Sequence, residues 1–350
     1  MRLHDDELAV DEPLVRRLLA TQHPHLADLP LRALGGGGQA AGSSNRLFRL
    51  GDDLLVRLPR QPGGSRALET ERRWGPLVAA ALPPGVVVPE VVASGRPGEG
   101  YPEAWSVTRW IEGTPSAVPA LAAYAGSSGP LARDLAAVLR GLRDAPVPAQ
   151  AVADPALRGY RGGRLGDLDD DLRETAAVCA ALPGWSDLGL DLDRVLLVWE
   201  SALVAEAALD AAGPVAEGWL HGDLLAENLL VREGRLAAVL DLGGLGVGRR
   251  AVDLVVAWEV LDAPGRALLR ELLDVDEATW RVGQGWALLL ALITFPYYGR
   301  TMPARCAARR AMAAAVLDAV VDVVVDVGPD VGPDVGPDVG PVVGPVVGPG

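Results

Sequence analysis

Three side chains of the types that phosphoryl transfer uses lie close together in this chain. Asp223 closes a His221-Gly222-Asp223 triplet, Asn228 follows five residues later, and Asp241 opens Asp241-Leu242-Gly243 thirteen residues beyond Asn228. Between the last two lie Leu229-Leu230-Val231, the turn-forming Arg232-Glu233-Gly234-Arg235 and Leu236-Ala237-Ala238-Val239-Leu240. These read as two short strands of a tight hairpin. Asn228 and Asp241 are thereby brought to one open end, where neighbouring strands lie roughly 4.8 Å apart, so that both oxygens can reach one cation. An amide oxygen and a carboxylate are hard ligands suited to Mg2+. Asp223, on the preceding loop, is placed to orient an incoming hydroxyl and accept its proton. Either triplet alone is ordinary turn punctuation; their order, spacing and intervening hairpin carry the reading.

The elements that must present a nucleotide to these groups lie upstream. Gly35 to Gly38, Gln39, Ala40, Ala41 and Gly42-Ser43-Ser44-Asn45 form a Gly- and Ser-rich connection able to bring backbone amides to phosphate oxygens. It has neither a G-x-G-x-x-G nor a P-loop spacing. A second hairpin follows: Leu47 to Leu50, the turn Gly51-Asp52-Asp53, and Leu54 to Leu58 carrying Arg57. All 32 basic residues are arginine, and no lysine is present. A guanidinium at Arg57 stays charged and can fork onto two phosphate oxygens. The helical stretch Ala67 to Ala81 supplies two acids, Glu69 and Glu71.

The run from Trp219 to Val231 followed by Val239 to Gly243 resembles the core of the aminoglycoside phosphotransferase family. Leu50 to Arg60, Glu71 to Trp74 and Trp105 to Gly113 resemble the amino-terminal lobe of its bacterial members. The likeness runs from about residue 12 to about residue 320. It implies an α+β, protein-kinase-like fold of two lobes: a small antiparallel sheet over residues 1–112 and a mainly helical part over 113–326. It implies Asp223 as the catalytic residue, Asn228 and Asp241 as ligands of Mg2+, and ATP or GTP as donor. Arg57 then clamps the phosphates with Glu71 positioning it and Glu69 as competitor, while Gly42 and Ser43 border the nucleotide. Backbone groups of Arg109 and Ile111 would bond the purine edge. Asp253 resembles the helix-start aspartate that hydrogen-bonds the catalytic loop, and the position of His221 suggests a buried ring bracing the same loop.

Two departures stand out. Relatives usually have His-Pro-Gly where Leu225-Ala226-Glu227 stands, so a rigid and a permissive residue are lost and a carboxylate is gained beside the metal position. Arg249-Arg250 replaces a common Asp-Pro. These changes keep open a rival, a nucleotide-binding regulator that has lost transfer. A protein kinase is disfavoured, because the nine residues between Gly243 and Asp253 are too few for an activation loop.

Elsewhere, helical periodicity is expected over Pro119 to Ala125, Leu131 to Arg143, Asp170 to Ala181, Asp191 to Ala212, Ala251 to Leu261, Gly265 to Leu273, Ala278 to Phe295 and Pro303 to Val321. Val86 to Val92 reads as a short or edge strand broken by Pro89, and Trp105 to Ile111 as the strand entering the inter-lobe hinge. The apolar stretch Trp286 to Phe295 is about half a bilayer span, and so reads as a core helix. Met1 to Asp11 lacks an apolar signal region, which predicts a soluble, cytoplasmic protein. Cys179 and Cys306 read as reduced core residues. A net charge of -14 disfavours nucleic acid despite the small clusters Arg249-Arg250 and Arg305 to Arg310. It suits a small-molecule hydroxyl acceptor of cationic type, such as an aminocyclitol, whose path Asp167, Asp169, Asp170 and Asp171 are candidates to line. Residues 327–350, a Val-Gly-Pro repeat, cannot build a core.

Overall fold

The computed structural model describes residues 3–34, 42–116 and 128–326. The expected helix at Pro119 to Ala125, most of the Gly-rich connection and the repeat at 327–350 lie outside these residues.

Five antiparallel strands form the first sheet: β1 (Leu31–Ala33), β2 (Asn45–Leu50), β3 (Leu54–Pro59), β4 (Val91–Gly95) and β5 (Trp105–Arg109), in the order β1-β2-β3-β5-β4. The β2–β3 hairpin turns at Gly51 as its Gly-Asp-Asp sequence requires, and sets Arg57 between Leu47 and Ser106. Phe48, Leu50, Val56, Leu58, Trp105 and Val107 close a core against the helix Glu12–Gln22, which contributes Leu14, Val15, Leu18 and Leu19. The helix Ser65–Ala81 is anchored at its start by Glu103, which accepts from Gly63 N and Ser65 N at 2.8 Å each. Its Trp74 and Val78 join the larger core of the second half, Trp74 meeting Trp219 with ring centroids 5.8 Å apart. One helix therefore ties the sheet to the helical part.

Val86 to Val92 does not form one strand. Val87 makes a single parallel bridge to Ala238, and pairing in the first sheet starts only at Val91. Pro89 between them has no N–H to donate, which explains the division.

Past the link at 110–113, β6 (Thr114–Pro115) pairs with β8 (Leu229–Arg232), and β8 with β9 (Arg235–Val239). Glu233 and Gly234 close that hairpin with φ of 54° and 75°, the two positive values that a tight two-residue turn demands. A third, two-stranded unit joins β7 (Gly218–Leu220) to β10 (Gly246–Gly248). The loop carrying Asp223 leaves β7 for β8, while the segment carrying Asp241 leaves β9 for β10. Both therefore emerge at the same end.

Helices carry the rest of the second half. Ser128–Asp144, Asp169–Ala180, Leu192–Ala212, Ala263–Leu273, Glu277–Leu292 and Pro303–Asp326 lie within a few residues of the periodic stretches. Ala251 to Leu261 is instead a 3-10 turn at Arg250–Val255 running into Val256–Val260, and a separate short helix, Thr294–Tyr298, follows Glu277–Leu292. The whole of Trp286 to Leu292 is buried at the centre of the larger core. Both cysteines are buried and free. Among the described residues no helix is long and apolar enough to cross a membrane.

Candidate active site

Asp253 and the His221 ring hold the start of the loop after β7. Asp253 accepts from His221 N at 2.7 Å and Gly222 N at 2.8 Å. The buried His221 ring takes the Asp223 N–H on Nδ1 at 3.2 Å, which leaves the proton on Nε2 for the Leu240 carbonyl at 3.0 Å. The ring thus spans the two segments that carry Asp223 and Asp241. Gly222 has φ 77°, and a Cβ there would stand 2.5 Å from Gly244 O, so only glycine allows the segments to approach this closely.

Asp223 is about one-third exposed and faces the cleft. Asn228 Nδ2 donates to its carbonyl at 2.8 Å and to its Oδ2 at 2.9 Å, while Arg161 Nη1 donates to its Oδ1. Burial alone would raise this carboxyl, but the Arg161 guanidinium beside it holds it below the ordinary carboxylate range. Asp241 adopts a left-handed backbone with φ 57°. Its carboxyl is pushed upward by burial first, with Asp223 and Glu71 adding negative charge against the pull of Arg57.

Arg57 grips Glu71 through two bonds, Nη1 to Oε1 at 2.6 Å and Nη2 to Oε2 at 3.0 Å, with both side chains buried. Its Nη2 also lies 3.8 Å from Asp241 Oδ1. Glu69 points outward and pairs with Arg72, so of the two acids it is Glu71 that meets Arg57. Arg57, Asp223 and Asp241 line one cleft cavity of about 390 Å³, with Ser44 and Asn45 at the sheet side and Tyr160 and Arg161 opposite.

The loop's edge near Ser43 is also fixed. Ser43 O bonds the His4 ring at 2.8 Å, and Arg60 donates to the Gly42 carbonyl at 2.9 Å. At the hinge, Arg109 N–H already serves the Glu90 carbonyl at 2.9 Å and Trp110 N–H the Asp53 carbonyl at 2.8 Å. The Arg109 carbonyl, rather than its amide, is therefore the group it can offer a base. Ile111 N–H makes no backbone hydrogen bond among the described residues.

Two placements differ from expectation, at Glu227 and at the acids Asp167, Asp169, Asp170 and Asp171. Glu227 does not offer its carboxylate to the metal position: Arg305 and Arg309 bind it at 2.9 and 2.7 Å. The altered loop is braced besides by Glu259, which accepts from Ala226 N at 2.7 Å and pairs with Arg309, and by Ser116 Oγ on the Ala226 carbonyl at 2.8 Å. The arginine clusters are committed within the chain: Arg249 pairs with Asp210 and Arg310 donates to the Leu188 carbonyl. None of Asp167, Asp169, Asp170 or Asp171 lines the cleft cavity, and Asp169 is engaged by Arg173 and the Trp199 indole. No motif or period in the sequence marks Arg161. Its only local signal is the glycine-flanked run Gly159-Tyr160-Arg161-Gly162-Gly163, which has no period to mark an element.

The sequence profile of the phosphotransferase enzyme family matches residues 39–286. Aminoglycoside 3'-phosphotransferases of Streptomyces fradiae and Escherichia coli are 30% and 29% identical over 208 and 183 residues, or 56% and 51% of this chain. Those alignments span 62% and 59% of the two relatives. The structure of the GDP complex of aminoglycoside 2'-phosphotransferase-IIIa superposes with a TM-score of 0.61 at 16% identity, covering 89% of this chain and 98% of that one. The two-lobed, kinase-like fold is shared with that enzyme.

Proposed function

Because the chain belongs to the phosphotransferase enzyme family, we propose that it moves the γ-phosphoryl group of ATP or GTP to a hydroxyl of a small molecule. The observation that carries the reading is the meeting of Asp223, Asn228 and Asp241 with the Arg57–Glu71 pair at one cleft. The sheet-bearing part, residues 1–112, would hold the nucleotide, and residues 113–326 the acceptor.

The donor set suits Mg2+. Asn228 turns its amide N–H groups to Asp223 and keeps Oδ1 for a cation, and Asp241 sits in a negative site whose charge is only partly met by Arg57. Two oxygen ligands, with phosphate oxygens and water completing the shell, are typical for this ion. When bound by Asn228 and Asp241 it would neutralise charge on the phosphates. Arg57, fixed by Glu71, would bind phosphate oxygens, and the backbone at Gly42 and Ser43 would border them. The Arg109 carbonyl and Ile111 N–H would meet the purine edge. Asp223, ionised and held from both sides, would orient the acceptor hydroxyl and take its proton. Alignment and charge stabilisation supply most of the rate in such transfers. A nucleoside triphosphate donor and two free buried cysteines fit a cytoplasmic enzyme.

The names of its relatives make aminoglycosides the first acceptors to try. The test is nucleotide turnover with such an acceptor in Mg2+ and then in excess chelator. Turnover that vanishes with the chelator and returns with Mg2+ supports the reading. Nucleotide binding with neither hydrolysis nor transfer to any hydroxyl acceptor would favour the silent regulator.

A further inference from the structure

Arg161 has no place in the machinery above, yet its guanidinium sits on Asp223. Nη1 is shared between Asp223 Oδ1 and the Gly222 carbonyl, and Nε donates to the Tyr160 hydroxyl at 3.0 Å. Nη2 has no hydrogen-bond partner among the described residues. The side chain is one-quarter exposed and borders the cleft cavity. Backbone packing delivers it there. Gly162 lies so close to Gly248 that a Cβ on the latter would stand 2.4 Å from Gly162 O, and that same carbonyl accepts from Arg249 N at 2.9 Å.

Among the described residues, the charges that line the cavity are the carboxylates of Asp223 and Asp241 and the guanidinium groups of Arg57 and Arg161. Glu71 already neutralises Arg57. A polyamine entering beside Asp223 finds no carboxylate in the lining beyond these two among the described residues, and meets Arg161 at the base itself. An anion in the same place meets two uncommitted N–H groups on Nη2, the kind of charge-assisted contact at which a guanidinium is strongest. The half-exposed Tyr160 ring lies alongside and offers a flat apolar wall.

We infer that the acceptor is a hydroxyl compound that also carries a carboxylate or phosphate group, which Arg161 binds through Nη2. This rests on the phosphotransferase reading and narrows its substrate class. With the anion on Arg161, the hydroxyl lies toward Asp223. The acceptor oxygen bonds to the γ-phosphorus as the bond from that phosphorus to the β–γ bridging oxygen breaks. The electron pair leaves with the nucleoside diphosphate, and the hydroxyl proton passes to the Asp223 carboxylate.

The experiment measures transfer from Mg-ATP and Mg-GTP by the full chain to matched compounds. Hydroxy acids are set against their amides, sugar phosphates against the free sugars, and aminoglycosides form a third arm. The expected result is a kcat/KM at least roughly tenfold higher for the anionic member of one matched set, which also tells carboxylate from phosphate. Arg161→Gln should bring that ratio close to one, chiefly through KM, while Arg161→Lys keeps part of it. Higher kcat/KM for aminoglycosides than for every anion, or a ratio unmoved in Arg161→Gln, overturns the inference. Hydrolysis of the nucleotide in Mg2+, dependent on Asp223, reports phosphotransfer without any acceptor. If hydrolysis occurs and polyamines are preferred, only the acceptor class falls; if neither hydrolysis nor transfer occurs, both proposals fall.

Discussion

Two arginine–carboxylate pairs face the same cleft and are built in opposite ways. Arg57 and Glu71 come from a strand and a helix, are buried, and make two parallel bonds, so neither can turn away. Arg161 reaches Asp223 with one nitrogen from a 3-10 turn between glycines, and both side chains stay a quarter to a third exposed. The first pair is a fixture: breaking it strands a buried charge. The second keeps donors and an accessible carboxylate in reserve, which is what a group that must meet substrate requires. Burial and the number of bonds, not the residue types, separate a fixed pair from one with donors left over for a ligand.

This contrast can be broken most sharply at Glu71. Glu71→Ala removes the partner of a buried guanidinium and should cost about 3–5 kcal/mol of unfolding free energy, read by chemical denaturation. A loss below about 1 kcal/mol would make the pair no more than a surface contact. Arg309→Ala comes next. It leaves Glu259, which is almost wholly buried, without its cation and frees Glu227, so a loss of about 1–3 kcal/mol is expected together with slower turnover. Unchanged turnover would show that the loop at 225–227 does not need this brace. Arg161→Ala should cost least, within about 1 kcal/mol, because its pair is partly solvated. A larger loss would make Arg161 a structural residue like Arg57.

Local pattern made the hairpins legible. Gly51-Asp52-Asp53 and Glu233-Gly234 each have a turn chemistry that admits few other conformations, and the Asn228-to-Asp241 spacing follows from the second turn. Long helices were equally plain: Leu192–Ala212 buries Val195, Val198, Trp199, Ala202 and Ala205 at helical spacing, and Glu277–Leu292 carries the long apolar run that is buried all round from Val282 onward. The run Val86 to Val92 breaks at Pro89 into a bridge and the start of the edge strand β4, as its composition suggests, but composition does not show which sheet the donors on either side of Pro89 will join. At the site, the Asp223–Asn228–Asp241 set and the Arg57 and Glu71 positions lie in short, patterned segments. The fate of Glu227 does not: its partners Arg305 and Arg309 are about eighty residues away on a helix whose docking face the sequence leaves open. Arg161 was hidden for a similar reason, as only the packing of Gly162 on Gly248 brings it to the loop.

The central claim, that Asp223 serves phosphotransfer at a nucleotide cleft, is tested most directly by Asp223→Asn. Turnover of the nucleotide and nucleotide affinity would be measured side by side on the same preparation. Turnover should fall at least roughly a hundredfold with affinity retained, because the amide keeps the shape of the carboxylate and loses only its charge and basicity. Turnover equal to that of the native chain would contradict it.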